Sequence, residues 1–404
     1  MKKVIAILAV SAMVTTAAFA QASVAGTVQT RLNVVQGNLS DDNDLTMGGL
    51  VGTAWLQLSG ANADGTLGGL WRLRNQDIVR QTDGGPWFHR AFVWWRPIEQ
   101  MRIWLGIDDD GIFGTDALAG WDFHQGDNDY MFNHDWSFWR RVFPGTWTSF
   151  GLALSFSNFG VDGLAINFIL PTGQRGHPGA TSGAITDTRT IQQMLAGFRL
   201  HTTYALPGIG TLQFVYNAPG GIMNIWDSNW GDLRAYSPEW GDATNFGQVG
   251  LSLLMTGLDF GNLIFGGAVI IPDSDHDLDL HLGAALHMAN IADIMGLRFR
   301  IGAHINAASG SNDFLTGNIM PIFALGPGSL MFDIGLSMVL PDGDFDAENH
   351  LGWSVKPVYR LPLAQGSFQI GLQLRSGVAQ GGNASVIAGN DVHIRIPMAL
   401  TFSF

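Results

Sequence analysis

The chain has 404 residues, of which 46% are hydrophobic, 14% are charged and 53 are glycine, and its formal net charge at pH 7 is −13. The acidic balance argues against nucleic acid as a partner, because nucleic-acid-binding surfaces are basic, and the absence of cysteine excludes thiolate metal sites and cysteine nucleophiles. Beyond residue 20 the only lysine is Lys356 and the only glutamates are Glu99, Glu239 and Glu348, and this scarcity of helix-forming surface residues favours β-structure.

The N-terminus has the three parts of a secretory signal peptide. Residues 1–3 (Met-Lys-Lys) are basic, residues 4–17 are almost wholly apolar or small, and residues 18–20 (Ala-Phe-Ala) form a small-x-small cleavage site. The sequence therefore predicts a Sec-type signal peptide over residues 1–20, which is removed on export. The remainder, residues 21–404, is predicted to form one domain.

Eighteen candidate strands follow the signal peptide. In them, large apolar side chains alternate with polar or small ones, which is the period-two pattern of a strand with one apolar face. Most have about the 9–11 residues that a tilted strand needs to cross a bilayer, or slightly more. We therefore predict an all-β fold, a transmembrane antiparallel β-barrel of 18 strands, with 16 strands as the alternative. The candidate strands are 24–36, 48–58, 66–76, 87–97, 98–107, 146–157, 161–170, 191–205, 210–217, 246–258, 262–271, 277–289, 296–306, 318–325, 329–340, 351–361, 366–376 and 392–404.

The connections between these strands alternate between short and long. Such alternation is typical of outer-membrane barrels, whose tight turns lie in the periplasm and whose long loops lie outside the cell. A barrel of about 18 strands is too wide for side chains to fill, so its lumen is expected to hold water. The short connections include 96–99, 206–210, 325–328 and 361–366, and the long ones are 37–47, 77–86, 108–145, 171–190, 218–245, 307–317, 341–350 and 377–391.

Basic residues fall on the polar face of the candidate strands. In strand 296–306, for example, Phe299 and Ile301 share one face, and Arg298 and Arg300 share the other. A charge that faces lipid costs about 2–4 kcal/mol at the bilayer midplane, so the basic face is expected to line the lumen. These residues form either a ladder along part of the wall or the scattered polar lining of any pore. The candidate pore-wall residues are Arg31, Arg72, Arg74, Arg102, Arg199, Arg298, Arg300, Lys356, Arg375 and Arg395.

The longest connection, 108–145, is rich in acidic and aromatic residues. Its candidate pore-constriction residues are Asp108, Asp109, Asp110, Asp116 and Asp122. Its tryptophans Trp121, Trp136 and Trp139 either pack the loop against the wall, offer stacking surfaces to a sugar, or form a patch that faces a host.

The chain ends in a strand with two different faces. From Val392 to Phe404 every even position is large and apolar, and every odd position is His, Arg, Pro, Ala, Thr or Ser. Free chain ends usually fray, so a regular strand that runs to the last residue indicates the closing strand of a barrel. The terminal Phe404 resembles the sorting signal that the barrel-assembly machinery reads in bacterial outer-membrane proteins.

The connection 108–145 is the third of the long loops predicted to lie outside the cell. With these strands and this loop, the mature chain resembles the general bacterial porins in architecture. The resemblance implies that loop 108–145 folds into the barrel, where its acidic residues face arginines across the narrowest point. It also implies a water-filled channel for passive diffusion of ions and small hydrophilic solutes, embedded in outer-membrane lipid of a Gram-negative-type envelope, with monomer and homotrimer both open. Eighteen strands would suit the sugar-specific porins better, so a sugar channel is one alternative. A barrel that acts mainly as an adhesin or binding protein through its outer loops is another.

Neither enzymatic nor metal-binding motifs are evident. The sequence lacks the G-x-S-x-G, H-E-x-x-H and P-loop patterns. The acidic runs 273–279 and 342–348 do not fit an EF-hand, because Leu278 or Ala347 stands where that loop needs glycine. We therefore expect no catalytic residues, no cofactor and no specific metal site, and an acidic pore mouth.

Overall fold

The structure is a computed structural model. It describes residues 21–39, 45–47, 50–75, 87–108, 142, 149–173, 198–218, 245–272, 278–306, 313–341, 343–344, 350–376, 379–380, 385–386 and 392–404. The predicted signal peptide, residues 1–20, lies outside the described residues. Within these ranges there is no helix that is long and apolar enough to cross a membrane.

The described residues form eighteen barrel strands, which we number in chain order. They are β1 (Gln21–Asn38), β2 (Leu50–Ala61), β3 (Leu67–Asn75), β4 (Trp87–Ile98), β5 (Met101–Asp108), β6 (Ser149–Ser157), β7 (Leu164–Gly173), β8 (Arg199–Leu206), β9 (Gly210–Asn217), β10 (Asn245–Leu258), β11 (Gly261–Pro272), β12 (Asp279–Ile291), β13 (Met295–Asn306), β14 (Asp313–Leu325), β15 (Gly328–Leu340), β16 (Leu351–Leu363), β17 (Gly366–Gly371 and Gln373–Ser376, interrupted at Leu372) and β18 (Val392–Ser403). A separate short pairing joins Ala379–Gln380 to Ser385–Val386.

The strands form a single closed ring. Each strand pairs antiparallel with the next one along the chain, and β1 pairs with both β2 and β18. At this closure Thr27 stands opposite Ser403, and the register shifts once, between Asn33 and Val35. The predicted fold class is therefore confirmed: the chain forms a closed antiparallel β-barrel, with 18 strands rather than 16.

Alternate connections of such a ring lie at opposite ends of the barrel. We call the end that holds Gln21 and Phe404 the terminal end, and the opposite end the loop end. The terminal end also holds the connections 62–66, 99–100, 158–163, 207–209, 259–260, 292–294, 326–327 and 364–365. The loop end holds the connections 39–49, 76–86, 109–148, 174–198, 218–244, 273–278, 307–312, 341–350 and 377–391.

Two strands differ from their predicted bounds for identifiable reasons. Strand β14 begins at Asp313, not at 318, because Phe314 and Thr316 continue the pairing with β15 in a stretch whose polar residues and Gly317 suggested a loop. Strand β4 continues to Ile98 and pairs there with Met101, so the predicted turn at 96–99 lies two residues too early and the connecting residues are Glu99 and Gln100.

Candidate functional site: the inner wall of the barrel

The two faces of the barrel wall differ in polarity. On β13, Phe299, Ile301 and Ile305 are 40%, 52% and 39% exposed, whereas the alternating Arg300 and His304 are 8% and 6% exposed. Side chains converge on the concave side of a closed sheet and diverge on its convex side, so the covered set points inward. The outer face is therefore apolar and the inner face polar, the reverse of a water-soluble protein.

Strands β8 to β10 show the same polar inner face. Asn217 Nδ2 on β9 donates a hydrogen bond of 3.1 Å to Gln248 Oε1 on β10. Its neighbours on this face are also buried, so they are covered by protein atoms and do not line an open bore. The buried polar residues of β8, β9 and β10 are Arg199, His201, Gln213, Asn217, Gln248 and Ser252.

Lys356, the only lysine beyond residue 20, forms part of a buried ion pair. Its Nζ lies 3.5 Å from Asp333 Oδ2 on the adjacent strand β15, and the two residues are directly opposite in register. Asn318 Nδ2 on β14 donates a hydrogen bond of 3.0 Å to the other oxygen of the same carboxylate. Sequence reasoning placed Lys356 on the wall but missed Asp333, although the alternation along β15 puts that residue on the inner face.

Aromatic residues cover part of the inner wall on β4 and β5. Phe92, Trp94 and Trp104 lie with their ring centroids 5.4–6.1 Å apart, and the alternating Val93 and Leu105 are exposed on the outer face. Strand 87–97 alternated poorly in the sequence because aromatic residues occupy both of its faces.

Arginines cap these inner aromatic rings. The guanidinium carbon of Arg102 lies 5.0 Å from the ring centroid of Trp104 and 5.8 Å from that of Trp94, within cation–π range. On the neighbouring wall, Arg72 lies 4.7 Å from the Trp55 ring and donates to Gln57 Oε1. Trp104 is only 8% exposed, and Trp94 and Trp55 are half-buried.

The basic residues of the strands are unevenly distributed around the ring. Starting at β16 and crossing the closure to β5, the strands carry Lys356, Arg360, Arg375, Arg395, Arg31, Arg72, Arg74, Arg90, Arg96 and Arg102. The other ten strands, β6 to β15, carry only Arg199, Arg298 and Arg300, together with the acidic Asp279, Asp313 and Asp333. We call the first group the basic arc. The predicted wall residues are thus grouped mainly on one side, with Arg199, Arg298 and Arg300 on the other.

Most of the predicted constriction loop lies outside the described residues. This holds for Asp109, Asp110, Asp116 and Asp122 and for the tryptophans Trp121, Trp136 and Trp139. The structure gives the backbone position of Asp108, which is the last residue of β5. It also gives the backbone positions of the predicted wall residues Arg31 in β1 and Arg74 in β3. Within the connection between β5 and β6, the described Val142 is wholly buried, so that point of the connection packs against protein.

One cluster on the inner face has the composition of a metal site. Asp279 and His281 on β12 and His304 on β13 bring a potential ligand atom each to within 4.8 Å of the others. No sequence motif indicated this cluster, because His281 and His304 are brought together only by the register of β12 against β13.

Comparisons with known proteins give structural matches only. No protein-family model matches the chain, and a search of curated proteins finds no significant match. Among solved structures, Salmonella typhi OmpF in complex with daunomycin matches with 12% identity and a TM-score of 0.48, over 95% of this chain and 97% of that chain. A mutant of Rh. blastica porin matches with 12% identity and a TM-score of 0.40, over 95% and 100%. Such identities assign no role to any residue of this chain.

Proposed function

We propose that the mature chain is an outer-membrane channel of the porin type, through which ions and small hydrophilic solutes diffuse passively. The observation that carries this proposal is the inverted polarity of the wall: exposed Phe299, Ile301 and Ile305 alternate with covered Arg300 and His304 on one strand. An apolar belt on the outside suits lipid, and a polar inner face suits water. Eighteen strands make the ring wide enough to leave an aqueous path.

The arrangement of the connections supports an orientation. The terminal end, with its short connections, faces the periplasm in this proposal, and the loop end faces outward, as in outer-membrane barrels generally. Export through the signal peptide of residues 1–20 and assembly through the terminal Phe404 would deliver the chain in this orientation.

Loop 108–145 is proposed to narrow the channel. Two observations support this: Val142 in that connection is wholly buried, and polar side chains of the inner wall are covered by protein. Acidic residues of the loop would then face the basic arc across the water path. Opposed charges on two walls orient polar solutes and disfavour apolar ones.

The sugar-channel alternative gains no support from the described inner wall. A sugar-stacking site needs aromatic faces that are open to the lumen, whereas Arg102 covers Trp94 and Trp104, and Arg72 covers Trp55. Non-specific diffusion is therefore the function that the described wall supports best.

Conductance of the purified, folded protein in a planar lipid bilayer tests the proposal. We expect discrete current steps whose size rises in proportion to the salt concentration of the bath, as for a water-filled path. The heat-unfolded protein in the same detergent is the control and should give none. A folded barrel without conductance would contradict the channel and favour a binding protein that acts through its outer loops.

A further inference from the structure

Two histidines and an aspartate meet on the inner wall near the loop end of the barrel. His281 on β12 stands directly opposite His304 on β13, and Asp279 precedes His281 by two residues on the same face of β12. The two imidazole rings are nearly parallel, at an angle of 13°, with their centroids 4.2 Å apart. The tight turn at Ala292–Asp293, in which both residues have positive φ, joins the two strands and helps to set their register.

One nitrogen of each imidazole ring points at the Asp279 carboxylate. Asp279 Oδ1 lies 3.0 Å from His281 Nδ1 and 2.9 Å from His304 Nε2. His281 and His304 are almost fully buried, so their ring positions are held by packing, whereas the Asp279 side chain keeps 25% of its surface exposed. The carboxylate is thus the member of the cluster that lies toward solvent.

These ligand types select a particular class of ion. Imidazole nitrogens with one carboxylate suit zinc and similar first-row divalent ions, whereas calcium and magnesium require mainly oxygen ligands. Ligand atoms on a zinc ion lie about 2.0–2.2 Å from the metal, so neighbouring ligand atoms of a tetrahedral site stand roughly 3.4 Å apart. The two ring nitrogens lie within 4.8 Å of each other and would have to close to about that spacing, whereas Asp279 Oδ1, at 3.0 and 2.9 Å from them, would have to move back slightly. Solvent would fill the fourth position.

We propose that Asp279, His281 and His304 bind one divalent transition-metal ion of the zinc class in the barrel wall. The site lies at the start of β12, directly after the acidic segment 273–277 (Asp-Ser-Asp-His-Asp), whose negative charge attracts cations toward it. The proposal departs from the expectation of no metal site. That expectation rested on oxygen-rich runs within one segment, and the ligands here come from two strands.

The test is metal binding by the folded protein in detergent after treatment with a chelator. Cobalt(II) serves as a spectroscopic probe of zinc sites, and zinc binding is measured by calorimetry. We expect one site per chain, visible cobalt absorption bands, and displacement of cobalt by zinc but not by a large excess of calcium. His281→Gln, His304→Gln and Asp279→Asn should each weaken zinc binding by at least about tenfold.

A matched control is available on the same strand. His287 shares the inner face of β12 with His281 but stands opposite Arg298, so His287→Gln should leave binding unchanged. Heat-modifiable migration identifies variants that are folded, and only these are compared. Absence of binding by the folded wild type would overturn the proposal and leave a carboxylate–histidine hydrogen-bonded cluster. Binding that survives both His281→Gln and His304→Gln, or that calcium displaces, would also overturn it, because the ion would then sit on acidic loop residues.

Discussion

The ring of the C-terminal Phe404 covers a glycine in the first strand. Gly26 and Phe404 exchange two backbone hydrogen bonds, of 2.9 and 3.0 Å, and a side chain added at position 26 would collide with the Phe404 ring. The aromatic ring therefore fills the surface that a glycine leaves open in a strand. This contact gives Phe404 a role in the folded barrel in addition to its proposed role as an assembly signal.

We predict that Gly26→Ala destabilises the barrel by about 1 kcal/mol, the lower end of the cost of overpacking, because the Phe404 ring is 59% exposed and can give way. The same change in a Phe404→Ala background should cost much less, because the colliding ring is gone. Urea unfolding of the refolded proteins measures both values. Gly257→Ala on β10 is the control, since its added carbon would meet only an oxygen at 4.0 Å. Equal costs in both backgrounds would show that the ring and the glycine are not coupled.

Phe404→Ala should also reduce the amount of folded barrel in the outer membrane of cells. A large loss in cells with only a small loss of stability after refolding would separate the assembly signal from the packing contact. Heat-modifiable migration of membrane fractions reports the folded amount. Normal folded yield in cells would refute the assembly role.

The buried pair Asp333–Lys356 leads to a prediction about stability. Lys356→Met removes the ammonium group that lies 3.5 Å from the Asp333 carboxylate, which is 1% exposed. Removal of one member of a buried pair costs about 3–5 kcal/mol, because the other charge stays desolvated. The double variant Lys356→Met with Asp333→Asn should recover most of that loss, since Asn318 can still donate to the remaining amide oxygen. Chemical unfolding of the three proteins checks this, and a double variant as unstable as Lys356→Met would show that the charges are not coupled.

At the scale of elements, the connections can be mapped on intact cells. Epitope tags inserted after Asp83, Asp109, Asp232 or Asp342 should be reachable from outside, because these positions belong to loop-end connections. Tags after Pro207 or Pro327 should be hidden, because the turns at 207–209 and 326–327 lie at the terminal end. Labelling of a tag after Pro207 on intact cells, with a periplasmic protein remaining unlabelled, would reverse the proposed orientation.

The strands were predictable because the period-two pattern is strong wherever one face of a strand is apolar and the other is polar. The terminal strand from Val392 shows this best, since its alternation continues to its end. The pattern weakens where both faces carry similar residues, as around Trp94 and Trp95, and where a strand contains several polar residues and a glycine, as at Asp313–Gly317. The predicted bounds of these strands therefore differ from the observed ones.

The candidate site was less predictable, because its contacts join different strands. The alternation of side chains along one strand predicts that Arg300 or Lys356 faces inward, but it does not show which residue of a neighbouring strand contacts it. The pairing of Lys356 with Asp333, and of His281 with His304, depends on a register that is fixed by turns and by the closure of the ring. The arginine caps over Trp94 and Trp104 depend on it in the same way.

At the scale of the whole molecule, charge should control ion selectivity. The basic arc stands on one side of the ring, and Arg298 and Arg300 stand with Asp279, Asp313 and Asp333 on the other. Neutralising Arg298 and Arg300 together to Gln should shift the reversal potential toward the value for a cation-selective channel. Neutralising Asp108, Asp109 and Asp110 to Asn should shift it toward the value for an anion-selective channel. Because the Debye length is about 10 Å at 0.1 M salt and shorter above, both shifts should shrink as salt rises.

Reversal potentials under a salt gradient measure these shifts. Asp64→Asn is a suitable one-charge control, because Asp64 lies in the exposed terminal-end turn at 62–66, where Thr66 donates to its carboxylate. Both multiple variants should fold normally, because lumen substitutions tune selectivity with little effect on stability. Unchanged selectivity in both, with conductance intact, would refute a charged constriction.

The pairing of β1 with β18 also has a consequence for the order of folding. Every other pair of neighbouring strands is adjacent in the chain and can form as a local hairpin, whereas Thr27 and Ser403, which share a hydrogen bond at the closure, are separated by 376 positions. Closure thus carries the largest loop-entropy cost in the barrel, and it cannot begin until the last residues have been delivered. Until then, the first and last strands each present an unpaired edge. A chain that is cut short before β18 would keep both edges open, and the folding intermediate that needs the most protection is therefore the nearly complete barrel.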